Sequence, residues 1–300
     1  MTVIAPDTHL AAEIATQPQD WLAARATAER HRQVLPAHGE RVAVIGCGTS
    51  LYMAQAFAAL REDAGLGVTD AWTPTEHRLG RGYDRVVAIT RSGTTTEVLD
   101  LLEQVRGTMP TTVITSTAAS PAVELADPIV TAEVDERSVV QTRFATTTLA
   151  MLRWHLGEDL APVADQAARV LEADESTLGP AVDADQITFV GRGWTSAIAH
   201  EAALKLRESS QSWTESYPMM EWRHGPVSIA APGRVVWAFG DPVPGLADDV
   251  ARTGAAYMSS SIDAMADLVR VHRLCIARAR AAGLDVDRPR NLTRSIILGT

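Results

Sequence analysis

Two stretches of this chain, VAVIGCGTSLYMA from residue 42 and ITFVGRGWTSAIA from residue 187, share one grammar. Each passes from an apolar run through G-x-G and a Thr-Ser pair into a helical pattern. A β-branched run bounded by glycine favours a buried parallel strand over a helix. Gly46 and Gly191 stand 145 residues apart, one in each half, so the repeat points to tandem α/β subdomains. The same pattern recurs at YDRVVAITRSGTTTEVLDLLEQV, from Tyr83. Further strands are predicted near 67–73, 111–115, 127–131 and 233–239. Strands that alternate with helices imply parallel sheets, with ligands at the carboxyl ends of the strands.

The predicted organisation is an N-terminal helix in 1–36, a first subdomain over 37–157, a connecting helix over 158–179 and a second subdomain over 180–300. Residues 8 to about 35 carry the leading helix, and 141 to 178 read as strongly helical.

Bulk properties remove several function classes. A chain of 300 residues with 46% hydrophobic content can bury a full core. A net charge of −10 argues against nucleic-acid or membrane-surface partners, which bind through basic patches. Two cysteines, Cys47 and Cys275, give neither a disulfide framework nor a metal set, and the eight histidines include no HxxxH or HExxH pair. No metal and no cofactor is expected. The N-terminus lacks the basic and apolar regions of a signal peptide, and no apolar stretch approaches membrane-spanning length, so the chain is expected in the cytoplasm.

The loops after the first and third predicted strands are dense in hydroxyls. Thr49 and Ser50 follow Gly48 in one; Thr90, Ser92, Thr94, Thr95 and Thr96 surround Gly93 in the other. Both precede helices, where backbone N–H groups and the helix dipole favour an anion. Ser and Thr also cap helices, but seven hydroxyls in two loops exceed what capping requires, so a phosphate cradle is predicted. A dinucleotide fingerprint is incomplete, because Leu51 stands where its third glycine belongs.

EAALKLRE, residues 201–208, holds the only lysine among 27 basic residues. Glu201, Lys205 and Glu208 share one helix face, which fits either a surface salt-bridge ladder or a functional constellation.

In order along the chain, these motifs resemble the sugar isomerase (SIS) family, and in particular the isomerase half of glucosamine-6-phosphate synthase with its related isomerases, deaminases and deglycases. CGTS (47–50) and TRSGTTTEVL (90–99) are similar to the family's two phosphate loops. ERSVVQTRFATTTLAML (136–152), with Val139 and Gln141, is similar to its pocket-lining segment. The stretch from GRGWTSAIAHEAALKLRE to MEWRHGP is similar to the run carrying the acid–base groups, and DRPRNLTRS (287–295) to the tail that closes over substrate.

The resemblance implies two tandem subdomains, each a three-layer, flavodoxin-like α/β sheet. It implies a 6-phosphosugar substrate and a homodimer with shared active sites. Glu208 would move the carbon-bound proton and His224, sixteen residues on, would open the ring. Lys205 would stabilise oxygen charge, with Glu201 orienting it. Gly48, Thr49, Ser50, Thr90, Arg91, Ser92, Gly93 and Thr95 would hold the phosphate. Trp213, Trp222 and Tyr217 would pack around the dimer-forming loop.

Three departures stand out. Arg91 replaces a glutamine beside the phosphate loop, Gln141 a pocket serine, and Arg294 the tail lysine that bonds substrate covalently in the synthase. An arginine cannot form that bond at neutral pH. The chain begins at the isomerase portion, so glutamine-dependent amination is not expected. A phosphosugar isomerase or aminosugar-phosphate deaminase is the leading expectation. A fructosamine-6-phosphate deglycase is the sibling reading and a non-catalytic sugar-phosphate sensor the rival of another class.

Overall fold

The computed structural model describes residues 7–299. Its elements run α1 (His9–Arg30), β1 (Val42–Gly46), α2 (Thr49–Asp63), β2 (Thr69–Trp72), β3 (Arg85–Ile89), α3 (Thr96–Val105), β4 (Thr111–Thr115) and β5 (Asp127–Val130). They continue through α4 (Arg143–His155), α5 (Ala161–Glu172), β6 (Gln186–Gly191), α6 (Trp194–Ser210) and β7 (Thr214–Pro218). Last come β8 (Arg234–Phe239), α7 (Leu246–Thr253), β9 (Ala256–Ser259) and α8 (Ala264–Ala281).

The chain divides into two compact units. One holds Gln19–Glu136, Arg143–Leu160 and the tail from Thr293; the other holds the residues up to Pro18, Arg137–Thr142 and Ala161–Leu292. The division falls inside α1 at Pro18, and the N-terminal helix therefore contributes residues to both units.

The first unit carries a five-stranded parallel sheet in the order β2-β1-β3-β4-β5. Val42, Ala43, Val44 and Ile45 of β1 are fully buried, as the β-branched run dictates for a strand covered on both faces. Beside them Val86, Ala88, Val98, Leu102 and Val113 build the core. The strand order reverses between β1 and β3, which is where doubly wound sheets open a crevice for ligands.

The second unit has a four-stranded parallel sheet, β7-β6-β8-β9. Its reversal lies between β6 and β8. Phe189, Trp237 and Phe239 form an aromatic group with ring centroids 5.9–6.3 Å apart. Val190, Val236, Trp222 and Val250 pack together as a further cluster.

Residues 141–178, read as strongly helical, hold two helices, α4 and α5. Gly157, at φ 91°, breaks the pattern between them.

Candidate active site

β1 and β3 pair in parallel with Gly46 opposite Ile89, so the loops that leave them start at one level of the sheet. Thr49, Ser50, Thr90 and Ser92 are almost wholly buried. Gly48 precedes α2 and Thr95 precedes α3, and neither helix receives a side-chain cap. Capping is thus not what the Thr95 hydroxyl does. The hydroxyls of Thr49, Ser50, Thr90 and Thr95 make no hydrogen bond among the described residues, and Ser92 Oγ accepts only from the Thr94 N–H, at 3.2 Å. Gly93, at φ 62°, lies against Ser120, whose Oγ a Cβ would strike.

The neighbouring loop fixes this one in place. The Thr115 hydroxyl donates to the Arg91 carbonyl at 2.9 Å and the Ser116 N–H to the same carbonyl at 3.2 Å, while the Ser116 hydroxyl gives its proton to Asp135 Oδ1 at 2.6 Å. Two donors from adjacent residues on one carbonyl hold the 90–95 backbone, and with it the orientation of Ser92 and Thr95.

Arg91 and Arg294 pair with adjacent acids, Glu136 and Asp135. The Arg91 guanidinium is buried in an ion pair with Glu136, Nη1 to Oε2 3.2 Å, and Arg91 Nη2 donates to the Arg294 carbonyl at 3.3 Å. Arg294 in turn donates to Asp135 and to the Glu136 carbonyl. Burial pushes the Asp135 carboxyl up, but hydrogen bonds from Ser116 and Arg294 hold it below its ordinary value. Glu136 also accepts from the Arg143 N–H at 2.6 Å. The tail then runs along the cradle loop. Thr94 Oγ1 bonds Ser295 Oγ at 3.0 Å, and the Thr96 N–H donates to the Ile296 carbonyl at 3.1 Å. Glu136 is a residue that sequence reasoning did not single out. Its signal was its place at the head of the ERSVVQ segment, five positions before Gln141.

In the second unit α6 places Glu201, Lys205 and Glu208 on one face, as the spacing predicts. This face is buried. Lys205 is fully enclosed, with Nζ 2.5 Å from Glu208 Oε2 and 3.6 Å from Glu201 Oε1. Glu208 keeps a 19% exposed side chain and lines a cavity of about 400 Å³. Its Oε1 has no hydrogen-bond partner among the described residues. One carboxylate oxygen is anchored by an ammonium while the other stays open, an arrangement suited to accepting and returning a proton.

His224 ends a short 3₁₀ turn, Glu221–His224. Buried Trp222 and the Arg223–Asp249 pair, 2.5 Å, fasten the turn. His224 itself is exposed and makes no hydrogen bond among the described residues. In segment 137–142, Glu13 Oε1 accepts from the Arg137 and Ser138 N–H groups at 2.5 and 3.2 Å. There Val139 is half-buried, and Gln141 Oε1 is buried without a partner among the described residues.

Trp222 is buried, Tyr217 half-buried and Trp213 73% exposed. Burial and the Glu97 charge push the Cys47 thiol up to about 11, so it is a packing residue and not a nucleophile. Among the described residues no cluster of three or more His, Cys, Asp or Glu could hold a metal, and no helix is long and apolar enough to cross a membrane.

No family model matches the chain. Over 315 residues it is 27% identical to a glutamine–fructose-6-phosphate aminotransferase [isomerizing] of Symbiobacterium thermophilum, covering 85% of this chain and 51% of that protein. The chain therefore spans about half the length of the curated relatives it matches. Its fold is similar to the C-terminal domain of glucosamine-fructose-6-phosphate aminotransferase from Francisella tularensis. There the TM-score is 0.82 at 19% identity, over 94% of this chain and 98% of that one. It is also similar to glucosamine-6-phosphate deaminase from Thermotoga maritima, with a TM-score of 0.81 at 22% identity over 97% and 100%. By sequence the chain is thus similar to part of the glutamine–fructose-6-phosphate aminotransferases, and its fold is the one shared by the isomerase domain of such an enzyme and by a phosphosugar deaminase, in line with the resemblance to the SIS, or sugar isomerase, family.

Proposed function

We propose that the chain isomerises or deaminates a 6-phosphosugar by acid–base proton transfer through an enediolate or enolamine. The observation that carries this is the Glu208 carboxylate, tied on one oxygen to buried Lys205 and open to a cavity on the other. A surface salt-bridge ladder would not enclose its lysine completely. The named activities of the relatives, isomerising amino transfer and aminosugar-phosphate deamination, supply the reaction class.

In this reading Glu208 takes the proton from the carbon beside the carbonyl and returns it to the neighbouring carbon. Lys205 stabilises the oxygen charge that develops between those steps. It is a charge donor and not a Schiff-base former, because its ammonium is spent on two carboxylates. The free hydroxyls of Thr49, Ser50, Thr90 and Thr95, with Ser92, receive the phosphate. Arg91 and Arg294 hold the tail in place through Asp135 and Glu136, and no covalent step passes through Arg294. His224 opens the ring. Its exposure without a hydrogen-bond partner among the described residues supports a homodimer in which it serves the other subunit's site. The enzyme would work in the cytoplasm and need no cofactor.

Purified protein screened against hexose and aminohexose 6-phosphates, with ammonia release and ketose formation followed together, tests the reading. Turnover of at least one substrate is expected, and Glu208→Gln should slow it by roughly 10²–10⁴-fold, the range of a lost general base. Phosphate binding without turnover on the whole panel would make the chain a sensor instead.

A further inference from the structure

The cavity beside Glu208 carries more positive charge than proton transfer requires. Arg207, Gln211, Arg290 and Asn291 line it along with Glu208. Glu208 shares the Lys205 ammonium with Glu201, so these three groups keep one negative charge against the two arginines of the cavity. Arg207 donates through Nη1 to Thr214, and its remaining donors have no partner among the described residues. Arg290 makes no hydrogen bond or ion pair among them at all. In a chain of net charge −10, two arginines with unspent donors beside the one open carboxylate oxygen are a local excess.

The backbone gives a second, independent sign. Among the described residues the only non-glycine positions with positive φ are Gln211, at 54°, and Asn291, at 63°. Both line this cavity. Gln211 closes α6, its N–H bonded to the Leu206 carbonyl, at a position where glycine would be relaxed. Side chains kept in a left-handed conformation cluster where their end groups are used, and here those end groups are two amides.

We propose that this cavity is a second anion subsite. The substrate carries, besides its phosphate, an anionic substituent that Arg290 and Arg207 receive, with the amides of Gln211 and Asn291 as neutral donors. This rests on the reading of Glu208 as the proton-transferring group and narrows its substrate class. Guanidinium forks accept a carboxylate or a phosphate equally well. The substituent is therefore either a carboxylate, as in an amino acid joined to the sugar through its nitrogen, or a second phosphate.

Calorimetric titration of the full chain distinguishes these. The probes are fructose 6-phosphate, its conjugate with glycine at the sugar's first carbon, and fructose 1,6-bisphosphate. One of the two doubly anionic ligands should bind about tenfold or more tightly than fructose 6-phosphate, and the one that does identifies the substituent. Arg290→Ala, an exposed and unpaired position, should erase that advantage while leaving fructose 6-phosphate affinity in place. The proposal is overturned if neither ligand gains affinity, or if Arg290→Ala weakens all three alike. The second result would mean the arginines hold the only phosphate. Because the readout is binding, it stands apart from the role of Glu208, which fails separately if Glu208→Gln retains full turnover.

Discussion

Gly46 and Gly191 end β1 and β6 at equivalent points, and a Cβ on either would collide with the helix that follows. The nearest atoms are the Ser50 carbonyl carbon at 2.4 Å and the Thr195 carbonyl oxygen at 2.1 Å. Gly48 and Gly193 then turn alike, at φ 53°, ψ −124° and φ 57°, ψ −133°. Backbone and position match; the hydroxyls do not. Thr195 Oγ1 accepts from the Arg192 N–H at 2.9 Å and lies 2.9 Å from the Arg192 carbonyl and 3.0 Å from that of Phe239. The last contact ties the β6 loop to the end of β8 and occupies the crevice where the strand order reverses. Ser50, its counterpart, makes no such bond. A repeated backbone therefore supplies two crevices, and side-chain commitment decides which can take a ligand. In the first unit the loop hydroxyls are left open; in the second the candidate acid–base group, Glu208, lies further along, on α6.

The two units also differ in how they bury charge, and the largest effect expected from substitution lies in the first. Glu136 is fully enclosed and paired to Arg91. Glu136→Gln leaves a buried guanidinium without its counter-charge, which should cost about 3–5 kcal/mol in chemical denaturation. It should also release the tail, read as faster proteolysis after Thr293.

Next in size is an acid sensitivity belonging to the second unit. His272 is completely buried, its Nδ1 3.1 Å from Gln17 Nε2. Burial, with the nearby Lys205 charge, pushes its pKa down to about 3. The unfolded chain takes up this proton near the ordinary histidine value of about 6.5 while the folded chain refuses it. The neutral ring thus destabilises the fold progressively as pH falls below that value. Between about pH 7 and about pH 5 the loss should be about 2 kcal/mol, and His272→Gln should flatten that part of the profile. An unchanged slope in the variant would place the acid sensitivity elsewhere, for example at His155 or His200, which burial also shifts downward.

The smallest effect separates the two loops directly. Thr195→Val should cost roughly 1–3 kcal/mol, because it strips a hydroxyl from backbone groups that depend on it. Ser50→Ala should stay within about 0.5 kcal/mol and instead reduce the rise in Tm that inorganic phosphate produces. Equal stability losses would mean that both loops are structural.

How far these features could be read from sequence follows from the same physics. β1, β3 and β6 were legible because strands buried on both faces need unbroken apolar runs. β7, TESYP, and β9, AYMS, were not, since the first is mostly polar and the second only four residues long, so neither carries such a run. The helix face holding Lys205 could be drawn from periodicity, but its burial depends on α8 packing, which no local pattern encodes. Arg91 and Arg294 were visible as separate departures from the family. Their meeting on Glu136 and Asp135 joins residues about two hundred positions apart, and only the fold brings those together. The pairing of Gln211 with Asn291 on one cavity wall was hidden for the same reason.

That Glu208 moves a carbon-bound proton is tested most directly by isotope exchange. Wild-type protein and Glu208→Gln are incubated in D₂O with fructose 6-phosphate and with glucosamine 6-phosphate, and deuterium entering the first two sugar carbons is followed by NMR. Wild type should incorporate deuterium from at least one of them. Glu208→Gln should do so roughly 100-fold or more slowly while phosphate still raises its Tm as in wild type. Exchange at the wild-type rate in Glu208→Gln, or none in wild type with either sugar, would contradict the assignment.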